Sequence, residues 1–292
     1  MSGMNIGALL RECTRALADG GNDNPRFEAE QLIMRLCGVT RNDMLISPGL
    51  PVTEEQVDSV TSGVSRRLSG EPLQYILGEW EFYGLPFRVG KGVLIPRQDT
   101  ETIAELGLEF ARRRRYPEFT AADLCAGSGC IGITIAKLAK VPVRLVELSE
   151  NALEYLRENI ALNDVGNLCE AIRGDVLSDD TARGLPLCDL IVTNPPYLTE
   201  KDMRELQAEV KFEPETALAG GEDGLDYYRR MIPMWSGRLK PGGMLAAEIG
   251  MGQEADVTRI FEECGMTAQY KKDMCGIIRV IYGTKNGGNN NG

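Results

Sequence analysis

Histidine is missing from this chain of 292 residues. Histidine is a common general base near neutral pH and a common metal ligand. Its absence therefore excludes a Ser-His-Asp triad, histidine general bases and histidine-ligated metals. Any chemistry must use carboxylates, amides, tyrosine, backbone groups or a cofactor.

Closely spaced cysteine pairs and long apolar runs are also missing. The eight cysteines are scattered without a C-x-x-C pair, so we expect no zinc site and no other metal. No uncharged run approaches the roughly 18 residues of a membrane span. Arg11, Glu12 and Arg15 interrupt the apolar N-terminal segment, which is typical of an amphipathic helix and not of a signal peptide. These features predict a cytosolic protein with reduced, mostly buried thiols that does not bind membranes.

Positive charge is in short supply, because 32 lysines and arginines face 43 acidic residues and leave a net charge of −11. A protein that grips long nucleic acid usually carries a basic face, so this balance argues against a DNA-modifying role. One basic run, Arg112–Arg115, has two interpretations. It is typical of a helix end, where cations suit the helix dipole, and it could also contact RNA or a partner.

Residues 1–70 are predicted to form a small helical domain. Apolar residues recur at helical spacing in residues 6–17 and again in residues 27–36. Thr53, followed three residues later by Gln56, is typical of the start of another helix.

Residues 71–95 change character, since they are rich in aromatic and β-branched residues with glycines between them. This pattern predicts a β-hairpin linker. Residues 286–292 contain only glycine and asparagine and are expected to form a disordered tail.

Helix and strand patterns alternate in residues 96–285, which predicts an α/β, Rossmann-like domain whose parallel sheet has helices on both faces. Strands are predicted at 143–146, 190–192 and 244–247, the last after a turn at Pro241-Gly242-Gly243. Helices are predicted at 103–112, 130–139 and 151–162.

A glycine turn within Asp123–Gly132 follows one predicted strand and precedes a helix. Its G-x-G-x-x-G pattern lets the backbone approach a ligand, and the helix start offers free N–H groups. NAD enzymes and S-adenosylmethionine enzymes both use such turns, and a purely structural turn is a further possibility. The candidate cofactor-binding residues here are Cys125, Ala126, Gly127, Ser128 and Gly129.

Two acidic residues follow successive predicted strands. Glu147 ends the strand after the glycine turn, where its carboxylate can accept hydrogen bonds from both ribose hydroxyls of an adenosyl ligand. Asp175, beside Val176, follows a further candidate strand and could face the adenine amino group. Either acid alone could be a loop cap, but their order along the chain favours a cofactor site.

Asn194-Pro195-Pro196-Tyr197 directly follows the apolar strand at 190–192. The two prolines fix the backbone, and the Asn194 side-chain oxygen adds an acceptor for a substrate NH₂ group. Tyr197 offers an aromatic face against a planar amide or base. The prolines also leave backbone carbonyls without matching N–H donors, and two such acceptors oriented on an amide can raise the electron density on its nitrogen and direct it at an activated methyl group.

With this tetrad, the chain resembles class I methyltransferases that act on amide or exocyclic amino groups. More closely, over residues 26–282 it is similar to the peptide chain release factor glutamine methyltransferases. The stretches that carry this similarity are Glu71–Gly78, Leu94–Glu101, Glu213-Pro214, Ala217-Leu218, Gly220–Asp226, Leu239–Gly243, Glu248–Gly250 and Gly276–Val280.

The resemblance implies a seven-stranded sheet, S-adenosylmethionine as the cofactor, and a helical N-terminal domain that helps to bind a release factor. It implies Asn194, Pro195 and Tyr197 as catalytic, and the whole tetrad as the contact for a glutamine in the factor's Gly-Gly-Gln loop. We expect a monomer that does not bind nucleic acid directly. Cys125 stands where the family has glycine and Glu147 where it has aspartate, so the cofactor geometry is expected to differ. Arg97 lies near the active site by the same analogy, or serves only a structural turn.

Two other functions share parts of this pattern. An adenine-amino methyltransferase acting on DNA or RNA would share the tetrad, but it would need base flipping and phosphate contacts, which the acidic charge disfavours. A non-catalytic or NAD-binding Rossmann protein would share the glycine turn, but the tetrad and the order of the two acids disfavour it.

Overall fold

The computed structural model describes residues 4–114 and 118–285. Arg115 and the residues expected to form a disordered tail lie outside that part. The chain divides into two compact units, one of residues up to Glu79 together with Gln207–Phe212, and one of Trp80–Leu206 together with the residues from Glu213 onward. The domain bounds taken from the sequence, at residues 70, 95 and 285, stay a prediction.

The first unit is helical, as predicted. Asn5 caps the first helix by accepting a hydrogen bond from the Ala8 N–H, and Thr53 and Gln56 form the predicted capping box of the fourth. The helices are α1 (Ile6–Asp19), α2 (Pro25–Cys37), α3 (Arg41–Ile46), α4 (Glu54–Leu68) and α5 (Leu73–Leu77).

The prediction of a hairpin throughout 71–95 was wrong at its start, because Leu73–Leu77 is helical. Pro72 precedes this helix, and Gly78 ends it in the left-handed conformation with φ of 71°. The helix packs against α2 and α4 and buries most of its side chains. Burial of this apolar turn against other helices outweighs the β propensity of its residues.

A two-stranded hairpin follows, formed by β1 (Glu79–Phe82) and β2 (Leu85–Arg88). Tyr83 and Gly84 connect the strands with positive φ angles of 53° and 74°, as a tight hairpin turn requires. The Phe82 and Phe87 rings pack edge to face, 6.1 Å apart.

The second unit is built on the expected seven-stranded sheet, with strand order β5-β4-β3-β6-β7-β9-β8. Its strands are β3 (Ala121–Leu124), β4 (Val143–Glu147), β5 (Cys169–Arg173), β6 (Cys188–Thr193), β7 (Leu239–Glu248), β8 (Met266–Lys272) and β9 (Ile278–Lys285). Its helices are α6 (Glu101–Arg113), α7 (Cys130–Ala139), α8 (Glu150–Leu162), α9 (Asp179–Gly184), α10 (Glu200–Arg204), α11 (Asp226–Ser236) and α12 (Glu254–Glu263).

The prediction of a parallel sheet was wrong at one edge. Strands β3 to β7 pair in parallel, whereas β9 is antiparallel to both β7 and β8. A short turn that includes Gly276, with φ of 82°, joins β8 to β9. A connection that short joins only antiparallel neighbours, since a parallel pair needs a crossover of a dozen residues or more.

The predicted turn at Pro241–Gly243 is a bulge inside β7, not a break before it. The register against β6 shifts between the pairs Cys188–Leu239 and Leu190–Met244. Gly242 has a φ of 75°. A Cβ on Gly243 would lie 3.0 Å from the Cys188 carbonyl oxygen, so the two backbones approach too closely for a side chain.

The central strands position the site. All residues of β3 and β6 are buried, as expected for parallel strands covered by helices on both faces. Since β3 lies between β4 and β6, the carboxyl ends of these strands meet at the point where strand order reverses, which is where open α/β sheets bind ligands. Across residues 4–114 and 118–285, no helix has the length and apolar character needed to cross a membrane.

Candidate active site

A cavity of about 600 Å³ lies in the second unit at the carboxyl ends of β3, β4 and β6. Nine of the predicted site residues line it, namely Cys125, Ala126, Gly127, Ser128, Glu147, Asp175, Val176, Asn194 and Pro196. Gly129, Pro195 and Tyr197 are not among the described residues that line it. Polar groups from four strand ends, that of β5 included through Asp175, thus converge on one volume, which is within the usual size of a small-molecule site.

The glycine turn connects β3 to α7 through three residues with positive φ. Cys125, Gly127 and Gly129 have φ angles of 57°, 55° and 82°. A Cβ on Gly127 would meet nothing within 4 Å, whereas one on Gly129 would clash with Leu156. Glycine is therefore favoured at position 127 because of its positive φ, and a side chain there would meet only open space. At position 129 glycine is required because the turn packs too closely on its neighbours to admit a Cβ.

Glu147 ties the end of β4 to this turn. Its Oε2 accepts a hydrogen bond of 2.8 Å from the Gly127 N–H, and its Oε1 accepts one of 2.8 Å from the Ser149 N–H. The carboxylate is half-buried and lines the cavity, so it retains lone pairs for hydroxyl donors. The loop-cap interpretation and the ligand interpretation of Glu147 are thus compatible.

Asp175 is exposed at the cavity wall. Its Oδ1 accepts a hydrogen bond of 2.8 Å from the Leu177 N–H and so caps its own loop. Val176 beside it is buried, and its carbonyl accepts a hydrogen bond of 2.8 Å from the Trp235 indole. This anchoring fixes the loop, and with it the position of the Asp175 carboxylate.

The tetrad leaves β6 with Asn194 and Pro196 facing the cavity. Behind them, glycine backbones surround Tyr197: a Cβ on Gly220 would lie 2.7 Å from the Tyr197 Cα, and one on Gly250 would lie 3.1 Å from its Cδ2. The Tyr197 carbonyl accepts a hydrogen bond of 3.0 Å from Gln253 Nε2. Burial raises the pKa of the Tyr197 hydroxyl, so it stays protonated.

Several lining residues were not identified from their own sequence positions; Leu148 and Gly174 adjoin Glu147 and Asp175, and the others belong to segments away from the motifs. These lining residues are Gly92, Val93, Thr100, Leu148, Gly174, Thr216, Ala219 and Tyr227. Two of the stretches that carry the family resemblance, Leu94–Glu101 and Glu213-Pro214, border this cavity. That resemblance was the sequence feature that could have placed these segments at the site. Glu213 joins them: its carboxylate accepts from the Ile95 N–H at 3.0 Å and forms an ion pair with Arg97.

Two family models match the chain. The PrmC N-terminal domain matches residues 8–78, and the methyltransferase small domain matches residues 110–215. A release factor glutamine methyltransferase of Moorella thermoacetica is 40% identical over 86% of this chain and 87% of its own length. One of Geobacter sulfurreducens is also 40% identical, over 91% of this chain and 92% of its own length.

The chain belongs to the release factor glutamine methyltransferase family. Its fold is shared more widely: a methyltransferase structure from Pyrococcus furiosus aligns with a TM-score of 0.52 at 16% identity, covering 70% of this chain and 91% of that one. At that identity the likeness concerns the fold alone.

Members of this family use S-adenosylmethionine, and the cavity fits that cofactor. The open space beside Gly127 leaves the turn backbone free to approach a ligand, and the Glu147 carboxylate has lone pairs for ribose hydroxyls. Burial raises the pKa of the Cys125 thiol, so this residue presents a neutral wall to the cavity. Cys125 adopts a left-handed φ without glycine's freedom, at a cost of about 1 kcal/mol.

Proposed function

We propose that this protein transfers a methyl group from S-adenosylmethionine to the side-chain amide nitrogen of the glutamine in the Gly-Gly-Gln loop of peptide chain release factors. The observation that carries the proposal is that Asn194, from the tetrad, lines the same cavity as the glycine turn and Glu147. The relatives named release factor glutamine methyltransferases match 86% and 91% of this chain, which supports the same substrate for this protein.

The residues of the chain would divide the work between two ends of the cavity. The glycine turn, Glu147 and Asp175 hold the cofactor, which when bound supplies a methyl group activated by a sulfonium. At the other end, the Asn194 side-chain oxygen accepts a hydrogen bond from the glutamine NH₂ group and directs the nitrogen toward the methyl carbon.

The rest of the tetrad would act through the rigidity of its backbone. Pro195 and Pro196 fix the chain as it leaves β6, and both are buried. Tyr197 is held by Gln253 and by the surrounding glycines, so the position of Asn194 is set before any substrate arrives. Such preorganisation lowers the barrier because little orientational freedom remains to be lost at the moment of reaction.

We propose further that the protein acts as a cytosolic monomer without direct nucleic-acid binding. The net charge of −11 supports this, because a nucleic-acid surface requires a local excess of basic residues. Release factors are themselves proteins of the translation apparatus, which suits an enzyme whose acceptor is a protein side chain.

The proposal is tested by transfer of labelled methyl from S-adenosylmethionine to a purified release factor. The control is the same factor with the Gly-Gly-Gln glutamine substituted, and cofactor binding is measured in parallel. Label on the unsubstituted factor alone is the expected result. If cofactor binds and neither factor is labelled, the substrate assignment is wrong, although the methyltransferase fold stands.

A further inference from the structure

Glu248 is a buried carboxyl group beside the tetrad, and the proposed function above assigns it no role. It ends β7 and is 2% exposed. The parallel register pairs Thr193 of β6 with Ala247 of β7, so the next residues along, Asn194 and Glu248, lie side by side at the carboxyl ends of the two strands. Glu248 is not among the residues that line the cavity, so it can act on a substrate only through a neighbour.

The contacts of Glu248 connect it to the Asn194 side chain. Asn194 Nδ2 donates a hydrogen bond of 3.4 Å to Thr100 Oγ1, and both side chains lie close enough to the Glu248 carboxyl group to favour its ionised form. In the part of the chain that the structure describes, Glu248 Oε2 has no hydrogen-bond partner. A buried carboxyl group with an unused oxygen is unusual, because buried polar atoms are normally paired.

The two ends of the Asn194 amide have opposite requirements. A carboxylate only accepts hydrogen bonds, so it attracts Nδ2 and turns Oδ1 away from itself, toward the cavity. A protonated carboxyl group can donate to Oδ1 instead and hold the amide the other way round. The charge state of Glu248 therefore selects which end of Asn194 meets the substrate.

We propose that ionised Glu248 is a positioning residue that fixes the Asn194 amide with Oδ1 toward the cavity, ready to accept from the substrate NH₂ group. This inference rests on the role given to Asn194 in the proposed function. It assigns to Glu248 no direct contact with the substrate.

The groups around Glu248 come from every element packed against it. Arg279 of β9 favours its ionised form, whereas Asp99, before α6, disfavours it. Tyr197 in the tetrad loop, Cys130 of α7 and Tyr228 of α11 complete the set, and burial raises the pKa of each of these three. All three are neutral near pH 7, so Arg279 and Asp99 are the charges that Glu248 meets there.

Burial raises the pKa of Glu248 to about 7 and outweighs the opposite effects of Thr100 and Arg279. Above pH 7 the carboxylate is ionised and Asn194 is held productively, whereas below pH 7 it is protonated and the orientation is lost. The turnover number should therefore rise with pH through a midpoint near 7.

The first test compares kcat between pH 5.5 and 8.5 for the full-length wild type and Glu248→Gln, with saturating cofactor and release factor. The glutamine keeps the shape but cannot ionise, so we expect kcat about tenfold lower at pH 8 and no acid limb. Asp189→Asn is the matched control: Asp189 is also a buried carboxyl group, at the opposite end of β6, and its variant should keep the limb. An acid limb that persists in Glu248→Gln, or a flat wild-type profile, would overturn the inference.

A second test needs neither turnover nor a stable Glu248 variant. The side-chain NH₂ resonances of Asn194, assigned by their loss in Asn194→Ala, are followed by ¹⁵N NMR during a pH titration of the wild type. We expect them to shift with a midpoint near 7, and an unchanged signal from pH 5.5 to 8.5 would sink the inference.

The two tests separate the inference from the function on which it rests. If the wild type labels no release factor at any pH, the substrate assignment fails, and the titration of the Asn194 resonances alone decides the coupling to Glu248. If label is transferred but the resonances do not titrate, the proposed function stands and the role of Glu248 is refuted.

Discussion

At the residue scale, Glu147 joins the glycine turn to the ligand side of the cavity. Its two oxygens already accept from the Gly127 and Ser149 N–H groups, so the same carboxylate shapes the turn and lines the cavity where we propose that the cofactor ribose binds. Asn194 also lines the cavity but makes no hydrogen bond to the turn among the described contacts, and we propose that it faces the acceptor amide. Substituting each residue should therefore separate cofactor binding from methyl transfer.

Glu147→Ala should weaken S-adenosylmethionine binding by about 10- to 100-fold, because it removes hydrogen bonds to a charged acceptor and two supports of the turn. Isothermal titration calorimetry measures the change. Glu150→Ala is the control, since Glu150 lies three residues further along at the start of α8, is exposed and pairs only with Arg157 and Arg173 among the described residues. Equal affinity in wild type and Glu147→Ala would remove this residue from the cofactor site.

Asn194→Ala should reduce methyl transfer by about 100-fold or more while leaving the cofactor Kd within about twofold, because the lost acceptor acts on the substrate amide. Labelled methyl transfer gives the first quantity and calorimetry the second. The exposed Asn167→Ala, the same change at the surface, serves as the control. Turnover near the wild-type rate would show that Asn194 is not needed.

At the element scale, the tetrad loop is held by the segment that returns to the cavity after Glu213. Leu198 and Ala219 form an isolated parallel bridge, and the Gly220 N–H donates to the Leu198 carbonyl at 2.8 Å. Gly224 packs its backbone against the Tyr197 carbonyl oxygen so closely that a Cβ there would clash. The glycines of this segment therefore serve the position of the tetrad.

Gly224→Ala should unfold at lower urea concentration and reduce kcat several-fold, because the new Cβ must displace the Tyr197 backbone. Gly252→Ala isolates the contribution of the backbone angle: Gly252 has a φ of 85°, against 76° for Gly224, and a Cβ there would meet nothing within 4 Å. Both variants should lose about 1 kcal/mol from the positive φ, and Gly224→Ala a further 1–3 kcal/mol or so from the clash. Equal effects of the two substitutions on kcat would argue against this role.

At the scale of the whole molecule, two buried carboxyl groups make stability depend on pH. Burial raises the pKa of both Asp123 and Glu248 to about 7. Because the unfolded chain releases these protons near pH 4, the folded state binds more protons between about pH 4 and 7. The free energy of unfolding should therefore fall as pH rises through this window, in the opposite sense to a carboxylate stabilised by an ion pair.

The wild type should lose free energy of unfolding between pH 5.5 and pH 8, and Asp123→Asn should make this loss smaller by about 2 kcal/mol. The amide keeps an acceptor for the Gly132 N–H but carries no charge. Urea unfolding at the two pH values measures the difference. The exposed Asp164→Asn should leave the loss as it is in the wild type. If Asp123→Asn behaves like that control, Asp123 does not titrate in this window.

Much of the site could be predicted because its motifs are local and follow the chain in order. The glycine turn follows β3, Glu147 is the last residue of β4 and Asp175 follows β5, and parallel neighbours bring such strand ends together at one edge of the sheet. The helical N-terminal unit and its capping box were likewise visible in spacing alone. These features depend on a few adjacent residues, so a single sequence contains them.

What the sequence by itself determined was therefore the α/β class, the order of the candidate ligand-binding turns and the residue types of the tetrad. The tertiary structure decided which distant residues complete the site: Thr100 and Tyr227 reach the cavity from other segments, and the register of β6 against β7 sets Glu248 beside Asn194. It also decided the insertion of β9 between β7 and β8. The physical reason is that strand order and register depend on packing between segments far apart in the chain, which local periodicity does not encode.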